Sequence, residues 1–190
     1  MVEFGREDSF QPYLLSGERI LWNGSPDPGR LLTRADIFLI PFSLLWGGFA
    51  IFWEAAVVLA GASHGGPPLF FVLWGIPFVV VGQYFIWGRF LYKRWDRRRT
   101  LYAVTNQRIL VLRGKTNLQS MFLAQLPTLS QTARPDGSGT LEFSNPPFPY
   151  GFWGNTGLDW FNRRDLLAFY DIPDVARVYR LIATARSTSS

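Results

Sequence analysis

IFLIPFSLLWGGFAIFWEAAVVLA (residues 37–60) and LFFVLWGIPFVVVGQYFIW (residues 69–87) decide the fold. The first run carries one ionisable residue, Glu54, and the second carries none. A bilayer core of about 30 Å is crossed by roughly 20 apolar residues at helical rise. Both runs are therefore read as transmembrane helices. The connector GASHGGP (residues 61–67) is too short for a domain and rich in helix-stopping Gly and Pro. The two helices must form an antiparallel hairpin, with both chain ends on one side.

Lys and Arg close to the helix ends set the orientation. The connector has none, whereas Arg30 and Arg34 precede the first helix and Arg89 and KRWDRRR (residues 93–99) follow the second. The expected placement is multi-pass in a cell inner membrane with both termini cytoplasmic. Trp87, Tyr92 and Trp95 beside these cations match the aromatic belt at a headgroup boundary. Lys93, Arg94, Arg97, Arg98 and Arg99 are candidate headgroup contacts, since a cation near an anionic surface gains about 1 kcal/mol without a defined pocket.

The chain divides into a cytoplasmic N-terminal segment with one strand (residues 1–35), the hairpin (36–92), one small soluble unit (93–186) and a short tail (187–190). Residues 1–15 lack the continuous apolar core of a secretory signal, so the first long helix is expected to direct insertion. Net charge is +5 over 190 residues. Much of the excess sits in residues 93–99, where topology accounts for it, and nucleic acid is not an expected partner. The chain has no cysteine, which excludes disulfides, thiolate chemistry and zinc-cysteine sites. His64 stands alone in a Gly-rich connector and is read as solvated rather than metal-binding.

If Ala60 and Leu69 are level, Gly47 and Gly48 reach the depth of Gly82, where missing side chains allow close backbone approach. At the same registration Gln83 lies level with Trp46, whose indole hydrogen its amide can accept. Glu54 is the costly group. An intramembrane carboxylate suggests a proton path or an ion partner, and its closeness to the connector favours a structural or subunit-contact role over transport.

Beyond the basic run the pattern changes to short strands. TLYAVTNQRILVLRG (residues 100–114) predicts strands at 101–105 and 108–112 around turn-forming Asn106. Further strands are predicted at 20–22, 119–123, 129–132, 140–143 and 166–170, with PDGSG (135–139) as a strong turn. IPDVARVYRLIATAR (residues 172–186) reads as a helix, with Asp171 as N-cap and Val175, Val178, Leu181 and Ile182 on one face. Before it, residues 145–160 are irregular and aromatic. Phe148, Tyr150, Phe152, Trp153 and Trp160 either complete a small core or form a partner-binding patch.

YAVTNQRILVLRG (residues 102–114) resembles the opening hairpin of the bacterial pleckstrin-homology (PH) domain family, whose members commonly read Tyr-x-Val-Thr-Asn-x-Arg before an apolar strand and a Gly. GERILWNGSP (17–26) looks like the N-terminal segment of its membrane-anchored members, and IPDVARVYRLI (172–182) like its closing helix. The resemblance implies a strongly bent seven-stranded barrel or sandwich with a C-terminal helix plugging one end. It brings no catalytic residues and no cofactor. The sequence itself has no nucleophile elbow, P-loop, dinucleotide fingerprint or His/Glu metal spacing. Eukaryotic relatives of that fold bind phosphoinositides through a basic loop between the first two strands; here residues 105–107 are short and uncharged, so that activity is not carried over.

The expected function is thus that of a non-enzymatic, membrane-anchored interaction subunit that assembles or stabilises a membrane protein complex. An assembly protein of photosynthetic complexes also joins transmembrane helices to this domain type, which makes an energy-transducing complex one host the resemblance allows. The alternative is an anionic-lipid-binding or self-oligomerising scaffold.

Overall fold

Apolar length sets the two longest elements of the computed structural model, which describes residues 8–62, 66, 69–144, 154–158 and 167–188. Helix α1 is Asp36–Ala62 and α2 is Leu69–Gln83; α2 runs on through a π-helical turn, Tyr84–Gly88, into α3, Arg89–Arg97. The second rod therefore extends over Leu69–Arg97, 29 residues, or about 43 Å at helical rise. The helix runs on past residue 92, because no proline lies between Trp87 and Arg97 and the π turn keeps the backbone hydrogen-bonded.

Both helices are long and apolar enough to cross a membrane. Only 17% and 11% of their most apolar windows is buried. Side chains such as Leu45, Phe52, Leu59, Phe70 and Trp74 point outward, which is the reverse of a helix in a soluble core. Between the rods, a Cβ built on Gly82 would lie 2.9 Å from Gly47 Cα, so the two backbones meet where the sequence places them. Gly48 takes no part; a Cβ there would meet nothing within 4 Å.

Seven strands are present among the described residues. β1 (Ile20–Gly24), β2 (Thr100–Thr105), β3 (Arg108–Arg113) and β4 (Asn117–Phe122) form one antiparallel sheet in the order β1-β2-β3-β4. β5 (Ser130–Ala133), β6 (Gly139–Glu142) and β7 (Ala168–Ile172) form a second, in the order β5-β6-β7. Val104, Ile109, Val111, Leu141, Phe143 and Phe169 fill the main core together with residues of helix α4, Val175–Thr188. Tyr102 ties the sheets together. Its ring stacks on Phe169 at 4.6 Å and its hydroxyl accepts the Tyr170 N–H at 3.2 Å, while burial pushes the phenol up to about 12.

Strands β2 and β3 are buried on both faces. Ala103, Leu110 and Leu112 pack under Phe10 of the N-terminal arm, which is fully buried. The continuous apolar run ILVL (residues 109–112) is the sequence signal of such two-sided cover.

α4 buries Val175, Val178 and Ile182, with Leu181 half-buried, as the periodicity predicts. Its start differs from expectation. Asp171 belongs to β7, and Asp174 precedes the helix, its carbonyl accepting the Arg177 and Val178 N–H groups. The physical reason is that the Asp171 carboxylate is taken by two arginines, described next.

Candidate functional site

The junction between the apolar hairpin and the two sheets is built by α3. Arg89, Lys93 and Arg97 recur every four residues and so share one helix face. All three are buried. Arg89 donates through Nη1 to Asp36 at the start of α1 and through Nε to the Phe85 carbonyl at 2.9 Å, and its guanidinium lies 4.1 Å from the Phe90 ring centroid. Asp36 in turn accepts from the Thr33 hydroxyl at 2.8 Å. Lys93 Nζ donates to the Leu31 carbonyl at 2.7 Å. Arg97 donates to the Asp27 carbonyl at 2.6 Å, to Asn155 Oδ1 at 2.9 Å and to Asp171.

Asp171 is the hub on the sheet side. It is buried between Arg97 and Arg134, and its backbone carbonyl accepts the Asp27 N–H at 3.2 Å. Burial alone would raise its pKa, but the two guanidiniums outweigh it and hold the carboxyl below its ordinary value. Its φ of 49° is left-handed, which an Asp tolerates, and the β6–β7 register slips at this point. Gly157 closes the junction from the other side. Its φ is 85°, a Cβ there would sit 2.5 Å from the Arg89 carbonyl oxygen, and its own carbonyl accepts the Tyr84 hydroxyl at 2.6 Å.

These positions divide the expected headgroup contacts. Lys93 and Arg97 are corrected: their charges are spent inside the protein, because the helix phase turns them toward Leu31, Asp27 and Asp171. Arg94 and Trp95 on α3, and Arg98 and Arg99 just past its end, are exposed. The Arg99 guanidinium lies 4.2 Å over the Trp95 ring, and Tyr92 stacks on the same indole at 6.1 Å. A cationic face with an aromatic anchor can sit at a headgroup layer.

One expectation within the apolar helices changes, and Glu54 finds its place. Gln83 does not accept from Trp46; it accepts the Trp87 indole N–H at 2.8 Å, one turn along its own helix. An i,i+4 neighbour is held in place by the helix itself, whereas a facing residue is not. Glu54 lies in the notch left by Gly75 of the facing helix, its Oε2 only 1.7 Å from where a Cβ would stand. That oxygen is buried and has no hydrogen-bond partner among the described residues.

A second polar cluster explains the Thr-Asn-x-Arg pattern. Arg108 grips Glu18 in a bidentate pair, Nε to Oε1 at 2.8 Å and Nη2 to Oε2 at 2.9 Å, and also donates to the Tyr13 carbonyl at 2.6 Å. Thr105 donates to Glu18 at 2.7 Å, and Asn106 accepts the Arg19 N–H at 2.8 Å. Burial raises the Glu18 pKa, yet the bonds from Arg108, the Leu15 N–H and Thr105 bring it below its ordinary value. The motif therefore clamps the GER segment (residues 17–19) onto the β2–β3 turn. Pairing across the intervening hairpin could not be read from either segment alone.

Phe148, Tyr150, Phe152, Trp153, Trp160 and His64 lie outside the described residues. Among the described residues no group of three or more His, Cys, Asp or Glu is placed to hold a metal. The chain matches no protein-family model, no curated protein and no solved structure.

Proposed function

We propose that this chain is a membrane-anchored interaction subunit. Its hairpin crosses an inner membrane with both termini in the cytoplasm, and its two sheets with α4 form a PH-like module that assembles or stabilises a membrane protein complex. The observation that carries the reading is the buried row Arg89, Lys93 and Arg97, which bolts the hairpin to the linker before α1 and to β7. Such a joint presents the module at a fixed height and rotation above the bilayer. A tether that only localised a domain would need no such ordering, which is costly in side-chain entropy.

The aromatic residues Phe148, Tyr150, Phe152, Trp153 and Trp160 are the proposed partner contacts, since such side chains carry binding energy at interfaces. Affinity purification of the full chain from membranes in mild detergent is the test. A stoichiometric membrane-protein partner is expected, with Phe152→Ser/Trp153→Ser abolishing its recovery while the melting transition stays put. Recovery of the chain alone, monodisperse and lipid-bound, would reject the reading. One observation favours the lipid-scaffold alternative: the exposed trio Arg94, Arg98 and Arg99 beside Trp95.

A further inference from the structure

Between α4 and the outer edge of β1 runs an open groove of about 770 Å³. Its walls carry three cations, Arg19 from the β1 side and Arg177 and Arg180 from α4, and among the described residues no acidic one lines it. All three arginines are exposed, and among the described residues none forms an ion pair. The floor is apolar. Leu21 sits where the β1–β2 register slips, stays 45% exposed, and faces Leu181 and Ala185 across the groove. β1 is also the edge strand of its sheet.

We infer that this groove is a docking site for an extended acidic segment of a protein partner, its carboxylates on Arg19, Arg177 and Arg180 and an apolar side chain on Leu21, Leu181 and Ala185. Charge complementarity selects the sign, because surplus positive potential without an ion-pair partner among the described residues steers anionic segments and rejects basic ones. Shape selects a peptide. From Arg177 to Thr184 the helix wall rises about 10 Å, the length of roughly three extended residues, which is more than a single phosphate can bridge. An edge strand beside a helix is the usual seat of an added strand. The inference rests on the interaction-subunit reading and names the chemistry of the partner.

The test uses the full chain in detergent micelles and a short fluorescent peptide of alternating glutamate and leucine, followed by anisotropy. Binding should weaken steeply with salt, as expected for exposed charges. It should fall about tenfold or more in Arg177→Glu/Arg180→Glu. A peptide of alternating lysine and leucine should not bind. Both substitutions are on an exposed helix face; if the double variant melts early, the single Arg19→Ser variant takes its place with a smaller loss expected. Equal binding by wild type and variant overturns the inference. So does a variant that keeps the peptide but loses vesicles of phosphatidylglycerol, which would make the groove a lipid surface. Undiminished recovery of a membrane partner by the double variant also overturns the groove, and it leaves the subunit reading standing.

Discussion

Asp171 shows how one residue can hold several parts of a chain together. Its carboxylate joins Arg97 of α3 to Arg134, just after β5, and its carbonyl fastens Asp27. Replacing it by Asn leaves two guanidiniums facing a neutral amide in a buried site, a loss of about 3–5 kcal/mol. The pH dependence follows from the depressed pKa of Asp171 and of Glu18. Each contributes stability that is fully present above its unfolded value, near 4, and is lost as pH falls through the lower folded value. Thermal melts from pH 7 down to pH 3 should therefore show the wild type losing stability at the acid end, with Asp171→Asn less stable at pH 7 and less sensitive to acid. A variant with unchanged acid sensitivity would remove Asp171 from the account. Tyr102→Phe should cost only about 1 kcal/mol, since it deletes one hydrogen bond and keeps the ring stacked on Phe169.

At the scale of elements, the hairpin is set by glycine notches in a single register. Gly82 meets Gly47, and Gly75 receives Glu54. Changing Gly82 to Leu must push the helix backbones apart, so the detergent-solubilised protein should unfold more readily, by 1–3 kcal/mol as a rough range for overpacking. Gly48→Leu is the control, for its Cβ meets open space, and it should change stability by no more than about 0.5 kcal/mol. Equal effects of the two would show that the rods do not pack on this face. The π turn at Tyr84–Gly88 matters for the same reason. One additional residue in a turn rotates everything after it by about 100° around the axis. That rotation decides which face of α3 looks inward.

For the whole molecule, the proposed crossing of the hairpin, with the sheets joined to α3, predicts one membrane topology. Reporter fusions at residues 64 and 190 should report opposite sides of the membrane; same-side signals would discard the crossing hairpin. Neutralising exposed Arg94, Arg98 and Arg99 together should reduce insertion fidelity or vesicle binding while leaving the two sheets folded, because none of the three side chains is buried. Neutralising Lys93 and Arg97 instead should loosen the joint between α3 and the sheets, seen as earlier melting. The two sets are interleaved in one basic run, and only the structure separates them.

What the sequence by itself determined is what depends on local pattern. Unbroken apolar length gives the two rods, alternation and turn residues give the β2–β3 hairpin around Asn106, and a 3.6-residue period gives the buried face of α4. Glycine spacing also predicts the Gly47–Gly82 approach, since antiparallel helices with a short connector have few registers. The tertiary structure alone decided which charges meet: Arg89 with Asp36, Arg97 with Asp171, Arg108 with Glu18. Those partners lie 53 to 90 residues apart, and neither member of a pair carries a periodic signal for the other. It also decided that Phe10 covers the outer face of β2 and β3, and that the groove beside β1 is lined by cations from both ends of the chain. Ion pairing and cover by a distant segment depend on chain path and helix phase, and these exist only once the sheets have closed.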